Sequence, residues 1–285
     1  MLVGALVESV RLILAQGHVA EDAAEARDIV AAITGQNRFW PRLHAQHVIG
    51  RDIVDAALVV AHRRARGMPF AYAVGRAAFR HLMLRVNESV LIPRQETEVL
   101  VDLVLATRRS GVVADVGTGS GALALALAAE GDFARVIATD VAADALAIAR
   151  ENAESLRPAL KAPVDFRSGD LLAPLAGERL DVLVSNPPYI AYDEAPLLPR
   201  SVRDWEPAQA LFSGSHGLSA SRRIIQGGAS LLCRGGLLAL EVDSRRALQV
   251  AELVATNGAY RSIEVHQDLM GRDRFVLATM ATGNA

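Results

Sequence analysis

The sequence predicts an α/β fold in which a mostly parallel sheet carries helices on both faces. Three observations predict it. From Val112 onward, short apolar runs alternate with helical segments, the order expected of strands joined by crossover helices. The first run enters the glycine-rich turn Gly117-Thr118-Gly119-Ser120-Gly121, and the second ends on Asp140. A fourth ends in Asn186-Pro187-Pro188-Tyr189. Ligands of such sheets bind outside the carboxyl ends of the strands, and all three motifs fall there.

The elements follow in order. Leu2, Leu6, Val10, Ile13 and Leu14 recur at three- and four-residue steps, a helical stripe. Stretches 22–34 and 44–66 look similar, punctuated by Gly35 and Pro41. We expect a helical recognition domain over 1–75. Pro69 ends the pattern, and 78–84 and 85–92 alternate as strands, predicting a hairpin around Val86-Asn87-Glu88 and a connector over 76–95. The remainder, 96–285, is expected to form the catalytic domain. Its strands are expected at 112–116, 135–140, 164–166, 180–185, 237–242, 260–265 and 275–280. Its helices are expected at 122–129, 143–155, 218–232 and 246–256, with Gly235-Gly236 turning into the fifth strand.

Composition narrows the functions. With 51% hydrophobic and 22% charged residues, the chain has ample material for a core. Its net charge of -2 gives no general attraction to nucleic acid, so direct nucleic-acid binding is not expected. Lys161 is the only lysine, which disfavours Schiff-base chemistry. The single cysteine, Cys233, cannot form an internal disulfide, and the histidines show no metal-ligand spacing, so no metal is expected. Glu8 and Arg11 interrupt the apolar N-terminus, and no run is long enough to span a bilayer. A cytoplasmic protein without membrane association is expected.

The glycine turn admits two cofactors. Its glycines permit a tight turn and close approach of a ligand to the backbone, and Asp140 can accept hydrogen bonds from ribose hydroxyls. Gly117, Gly119 and Ala122 also satisfy the dinucleotide fingerprint. The loop therefore reads as a site for an adenosine-containing cofactor and does not choose between NAD and S-adenosylmethionine. Asp115, inside the strand, tips the balance: an acid there suits the amino group of a methionine moiety better than a pyrophosphate. Asp170, in Gly169-Asp170, is a candidate for the adenine amino group, although an acid in such a turn is as readily structural.

Asn186-Pro187-Pro188-Tyr189 carries the chemistry. A rigid turn explains the prolines but not the flanking Asn and aromatic. A planar amide nitrogen is a poor nucleophile, because its lone pair is delocalised. It needs no strong base, since its proton becomes acidic once a methyl is attached; it needs its N–H groups held in line with the donor. The Asn186 side-chain oxygen can accept one N–H and the Pro187 carbonyl the other. The prolines fix the backbone, and the Tyr189 ring can pack on a planar amide and help exclude water.

At this point the sequence resembles the bacterial release-factor glutamine methyltransferases, the PrmC/HemK family. Beside Asn186 to Tyr189 and the loop from Asp115 to Gly121, the similarity rests on Gly67-Met68-Pro69-Phe70-Ala71-Tyr72 with Gly75, and on Leu91-Ile92-Pro93-Arg94-Gln95-Glu96-Thr97-Glu98. It also rests on Arg203-Asp204-Trp205-Glu206-Pro207 and on Asp268-Leu269 with Gly271 and Arg274. The resemblance implies a Rossmann-like class I methyltransferase sheet with a helical N-terminal domain and a hairpin connector. It implies S-adenosylmethionine bound by Gly117, Thr118, Gly119, Ser120, Gly121 and Asp140. Asn186 would touch both cofactor and substrate, and Pro187, Pro188 and Tyr189 would complete the substrate site. The implied substrate is the glutamine of the Gly-Gly-Gln loop of peptide-chain release factors, methylated on its side-chain N5. Arg94 and Glu206 are candidates for substrate binding or, equally, for a salt bridge. The chain departs from the family at Leu171, where Trp often stacks on adenine, at Glu96 for the usual Asp, and at Asp243, where Gly is common. A ribosomal-protein glutamine methyltransferase and an adenine-N6 nucleic-acid methyltransferase share the Asn-Pro-Pro-Tyr motif and stand as alternatives.

Overall fold

The computed structural model describes residues 1–282; the last three residues of the expected 96–285 domain lie outside them. The chain forms two compact units, one of Met1–Arg76 with Pro199–Trp205, the other of Ala77–Leu198 with the chain from Glu206 onward.

In the first unit, helices Val3–Gln16, Asp22–Thr34 and Arg51–Ala65 bury Leu6, Val10, Leu14, Ile29, Val30 and Val60 in one core. The helix expected from 44 starts only at Arg51. Gly50 stands in extended backbone before it, and residues 45–48 instead bond the N-terminus: Gly4 N–H donates to the Ala45 carbonyl and Val3 N–H to that of His47. The first unit also takes in Pro199–Trp205, a segment the sequence pattern places in the catalytic domain.

In the second unit, β1 (Arg76–Phe79, whose first residue belongs to the other unit) and β2 (Leu82–Arg85) make a two-stranded sheet. The hairpin therefore turns at Arg80-His81, not around Val86-Asn87-Glu88. Arg80 sits at φ 52°, a region Gly and Asn favour. Its side chain holds it there: the guanidinium donates to both Glu130 carboxylate oxygens at 2.6 Å, and Glu98 accepts its N–H. Asn87 makes a turn of its own, its side chain accepting from Ser89 N–H.

The main sheet comprises β3 (Ser110–Val116), β4 (Asp132–Asp140), β5 (Val164–Ser168), β6 (Leu180–Ser185), β7 (Leu232–Glu241), β8 (Tyr260–Gln267) and β9 (Asp273–Met280). Their order is β5-β4-β3-β6-β7-β9-β8. The first five are parallel; β9 runs antiparallel to β7 and to β8. Gly235 and Gly236 lie within β7, opposite a register shift in β6, so the strand begins earlier than the expected 237. Helices Gln95–Thr107 and Ala122–Glu130 cover one face, and Ser219–Leu231 and Ala247–Asn257 the other. The helix Ala122–Glu130 is buried from Ala122 to Ala128, as befits one apolar all round. Strand order reverses between β3 and β6, which opens the crevice where ligands of such sheets bind. Among the described residues no helix is long and apolar enough to cross a membrane.

Candidate active site

The glycine turn is fixed from beneath. Gly117 and Thr118 both donate their N–H to the Thr139 carbonyl at 2.9 Å, tying the turn to β4. Gly117, Gly119 and Gly121 all have positive φ. A Cβ on Gly121 would also lie 3.0 Å from Leu125, so a larger residue there would press on the following helix. Asp140 closes β4 with both oxygens engaged at 2.9 Å, one by Gly119 N–H and the other by Ala142 N–H.

These groups open on a cleft of about 280 Å³. Gly117, Gly119, Asp140, Asp170, Leu171, Asn186 and Pro188 all line it, so three loops separated in sequence meet at one site. Ser89, Val90 and Leu91 contribute a wall, as do Phe212, Ala220 and Arg223; of these only Leu91 belongs to a motif read from the sequence. Asn186 turns its side-chain Nδ2 to the Thr97 hydroxyl at 3.1 Å, and Thr97 donates to Glu241 at 2.6 Å.

Comparison with known proteins identifies the family. Residues 95–197 match the family model described as the methyltransferase small domain. The chain is 44% identical to a release factor glutamine methyltransferase of Moorella thermoacetica over 96% of both chains. It is 39% identical to one of Gloeobacter violaceus over 90% of both. A methyltransferase structure from Pyrococcus furiosus shares the fold at TM-score 0.53 and 21% identity, covering 73% of this chain and 92% of that one. The chain belongs to the release factor glutamine methyltransferase family.

As a member of that family it is an S-adenosylmethionine-dependent enzyme with the class I sheet. The cleft fits this cofactor. Each Asp140 oxygen spends one lone pair on a backbone N–H and has another with which a ribose hydroxyl could bond. Val141, Ala142, Ala145 and Leu171 offer an apolar surface beside it. Leu171 holds φ 49°, its carbonyl accepting from the Thr139 hydroxyl at 3.3 Å. Both Asp170 oxygens are engaged by Arg223, at 2.6 and 3.3 Å, a pairing the sequence did not disclose.

Other expected residues stand behind the cleft wall. Asp115 is fully buried; one oxygen accepts from the Thr118 hydroxyl at 2.6 Å and from Ala124 N–H at 3.1 Å, while its Oδ1 has no partner. Burial pushes its carboxyl up to about 7, against those two hydrogen bonds. Thr118, Ser120, Gly121 and Pro187 shape the loops without lining the cleft. Tyr189 and the pair Arg94–Glu206 also stand outside its lining. Burial, reinforced by the charge of Glu241, raises the Tyr189 phenol, so it stays protonated. Arg94 donates to Glu206 at 2.6 Å, and Ile92 N–H donates to the other Glu206 oxygen at 3.3 Å. That salt bridge fastens the chain before Thr97 to Glu206-Pro207.

Asp243 has a clear structural part. It pairs with Arg246 at 2.8 Å, Arg246 pairs with Glu194 at 2.8 Å, and Glu194 accepts from Ala191 N–H at 3.0 Å. Burial acts to raise the Asp243 carboxyl, but the hydrogen bonds and charge of Arg245 and the charge of Arg246 hold it below its usual value. The chain leaving Tyr189 is thereby braced against the end of β7.

Proposed function

We propose that this enzyme transfers a methyl group from S-adenosylmethionine to the side-chain N5 of the glutamine in the Gly-Gly-Gln loop of peptide-chain release factors. The observation that carries this reading is that Asn186 and Pro188 line the same cleft as Gly117, Gly119 and Asp140, so the amide-binding turn and the cofactor turn face one space. The cofactor, when bound, supplies a methyl group activated on a sulfonium.

The residues divide the remaining work. Gly117, Gly119 and Asp140 hold the adenosine and methionine parts, with Asp170 and Leu171 at the adenine end, while Thr118, Ser120 and Gly121 keep the turn in shape. Asp115 acts chiefly through Thr118 and Ala124, keeping the turn in shape. Asn186 and the Pro187 carbonyl accept the two N–H groups of the substrate amide. Positive charge grows on the nitrogen as the methyl arrives, and acceptor oxygens beside it stabilise that charge. Pro187 and Pro188 remove backbone freedom, so little reorganisation is needed. Tyr189 excludes water beside them, and Arg94 with Glu206 sets the wall that the substrate loop meets. The helical unit of 1–75 is assigned to docking the release factor, whose names among the relatives support this partner.

The test is incubation of the protein with a release factor and isotopically labelled S-adenosylmethionine, followed by peptide mapping. Label on the Gly-Gly-Gln glutamine is the expected result. Label on ribosomal protein or nucleic acid alone would overturn the substrate. Asn186→Ala should lower single-turnover transfer by roughly 100-fold or more, the cost of losing a positioned charge-stabilising group, with cofactor affinity nearly unchanged. Undiminished transfer would reject the role of Asn186.

A further inference from the structure

We propose that Thr97 and Glu241 are positioning residues for methyl transfer, which together fix the Asn186 carboxamide with its oxygen, rather than its nitrogen, available to the substrate. The proposal deepens the reading of Asn186 given above and rests on it.

A carboxamide is nearly symmetric in shape and opposite in function at its two ends. Only the oxygen can accept a substrate N–H; a flipped side chain would present two donors to a donor. Packing alone discriminates poorly between the two, so the choice falls to the hydrogen bonds at the other end. Thr97 makes that choice. Its hydroxyl carries a single proton, and Glu241 Oε2 at 2.6 Å takes it. An ionised carboxylate only accepts. The Thr97 oxygen is thus left to accept, and it accepts from Asn186 Nδ2 at 3.1 Å. The polarity of the whole chain of bonds is set by one charge at its far end.

The fold brings the three together from distant places. Thr97 stands in the first turn of the helix Gln95–Thr107, and Glu241 is the last residue of β7. Asn186 follows β6, whose Ser185 pairs with Leu240 in the adjacent strand. Thr97 and Glu241 are 5% and 1% exposed, which strengthens a hydrogen-bonded chain and makes an orphaned member costly. The helix Gln95–Thr107 itself carries no cation. The charged and titratable groups that act on Glu241 are Arg274 and Arg94, which favour its ionised form, and Glu96, which opposes it; the Tyr189 phenol also feels its charge.

Burial outweighs the arginines and lifts Glu241 to about 7. Protonated Glu241 can donate to the Thr97 oxygen, which frees the Thr97 proton and removes the constraint on Asn186. Ionised Glu241 is the competent form, so transfer rises with pH through about 7 and levels off above. Asp115, lifted to a similar value, titrates in the same range, and a Glu241 variant separates the two.

The experiment measures single-turnover transfer to a release factor between pH 5.5 and 9 for the full-length wild type, Thr97→Val, Thr97→Ser and Glu241→Gln. Calorimetric affinity for S-adenosylmethionine establishes that each variant is folded. Thr97→Val should lose about 10- to 100-fold in the maximal rate, the scale of one misplaced catalytic group, with cofactor affinity unchanged. Thr97→Ser should restore most of that loss, and Glu241→Gln should flatten the acid limb. A cofactor-binding Thr97→Val with the wild-type rate would overturn the proposal, as would an acid limb that persists in Glu241→Gln. If the wild type labels no release factor, the substrate reading fails instead. The Asn186 side-chain nitrogen resonance then decides the relay: it should shift with the Glu241 titration in the wild type and not in Thr97→Val, and a resonance indifferent to pH overturns the proposal.

Discussion

Asp140 shows how one carboxylate can serve a fold and a ligand together. Gly119 N–H and Ala142 N–H each hold one of its oxygens at 2.9 Å, so the plane of the group is set before any ligand arrives. Such preorganisation spares the ligand the cost of ordering its partner. Asp140→Ala removes two charged acceptors at once. Hydrogen bonds to charged groups contribute about 1.5–3 kcal/mol each, so S-adenosylmethionine should bind at least roughly 10-fold more weakly. Asp140→Asn, with one accepting oxygen, should fall between the two. Calorimetry showing equal affinity for wild type and Asp140→Ala would exclude the ribose contact. The place of Asp140 on the cleft was legible in the sequence because it closes the strand that follows the glycine turn, and ligands of such sheets bind at that end. Asp170 was legible as an acid on the site but not as a paired one, since Arg223 lies 53 residues further on. Thr97 and Glu241 stand 144 residues apart, and no spacing rule connects them.

Among the elements, the strands and helices that carry the motifs were readable and the connections were not. β6 coincides with the expected 180–185 because an apolar run stops abruptly at a polar motif. The segment from Tyr189 to Gly217 has no periodicity of either kind, and its form comes from tertiary contacts. Ile190 bonds the chain at Leu211 and Ser213, and Glu194 reaches Arg246. Gly217, at φ 86°, would place a Cβ 2.2 Å from the Tyr189 carbonyl. The Arg80 turn was hidden for the same reason, since ion pairs rather than a turn-forming residue hold it. The brace can be tested directly. Glu194, Asp243 and Arg246 are mostly buried, and Arg246→Met would leave two carboxylates to Arg245 alone, whose side chain is 60% exposed. Removing one partner from a buried pair costs about 3–5 kcal/mol, and Arg245 should recover part of it. The expected result is a loss of roughly 2–3 kcal/mol in urea unfolding, with faster protease cleavage within 191–198. A variant as stable and as resistant as the wild type would show that the brace is ornamental.

At the scale of the whole molecule, buried acids give the enzyme a stability that depends on pH in two opposing ways. Asp268, Asp243 and Glu194 have carboxyls held low despite burial, by hydrogen bonds and by arginines. Their contribution is present above the ordinary carboxylate range and is lost as the pH falls through their lowered values. Asp115 and Glu241 act in the reverse sense, because burial lifts both to about 7. In the unfolded chain these groups release their protons near about 4. Between about 4 and 7 the folded protein therefore binds more protons than the unfolded one, and raising the pH through that window weakens folding. Asp115 is the cleaner test, since it is fully buried and lies in the first strand of the parallel core. Asp115→Asn cannot ionise, so the penalty that grows in the wild type with rising pH is absent from the variant. Whatever its absolute stability, the variant should gain on the wild type between pH 5 and pH 8, by on the order of 2–4 kcal/mol for a shift of this size. Urea unfolding of both proteins without cofactor, at the two pH values, measures the difference. A gap that stays constant would mean that Asp115 ionises in the folded enzyme as readily as in the open chain. Its unpartnered oxygen would then have to be satisfied by water beneath the glycine turn.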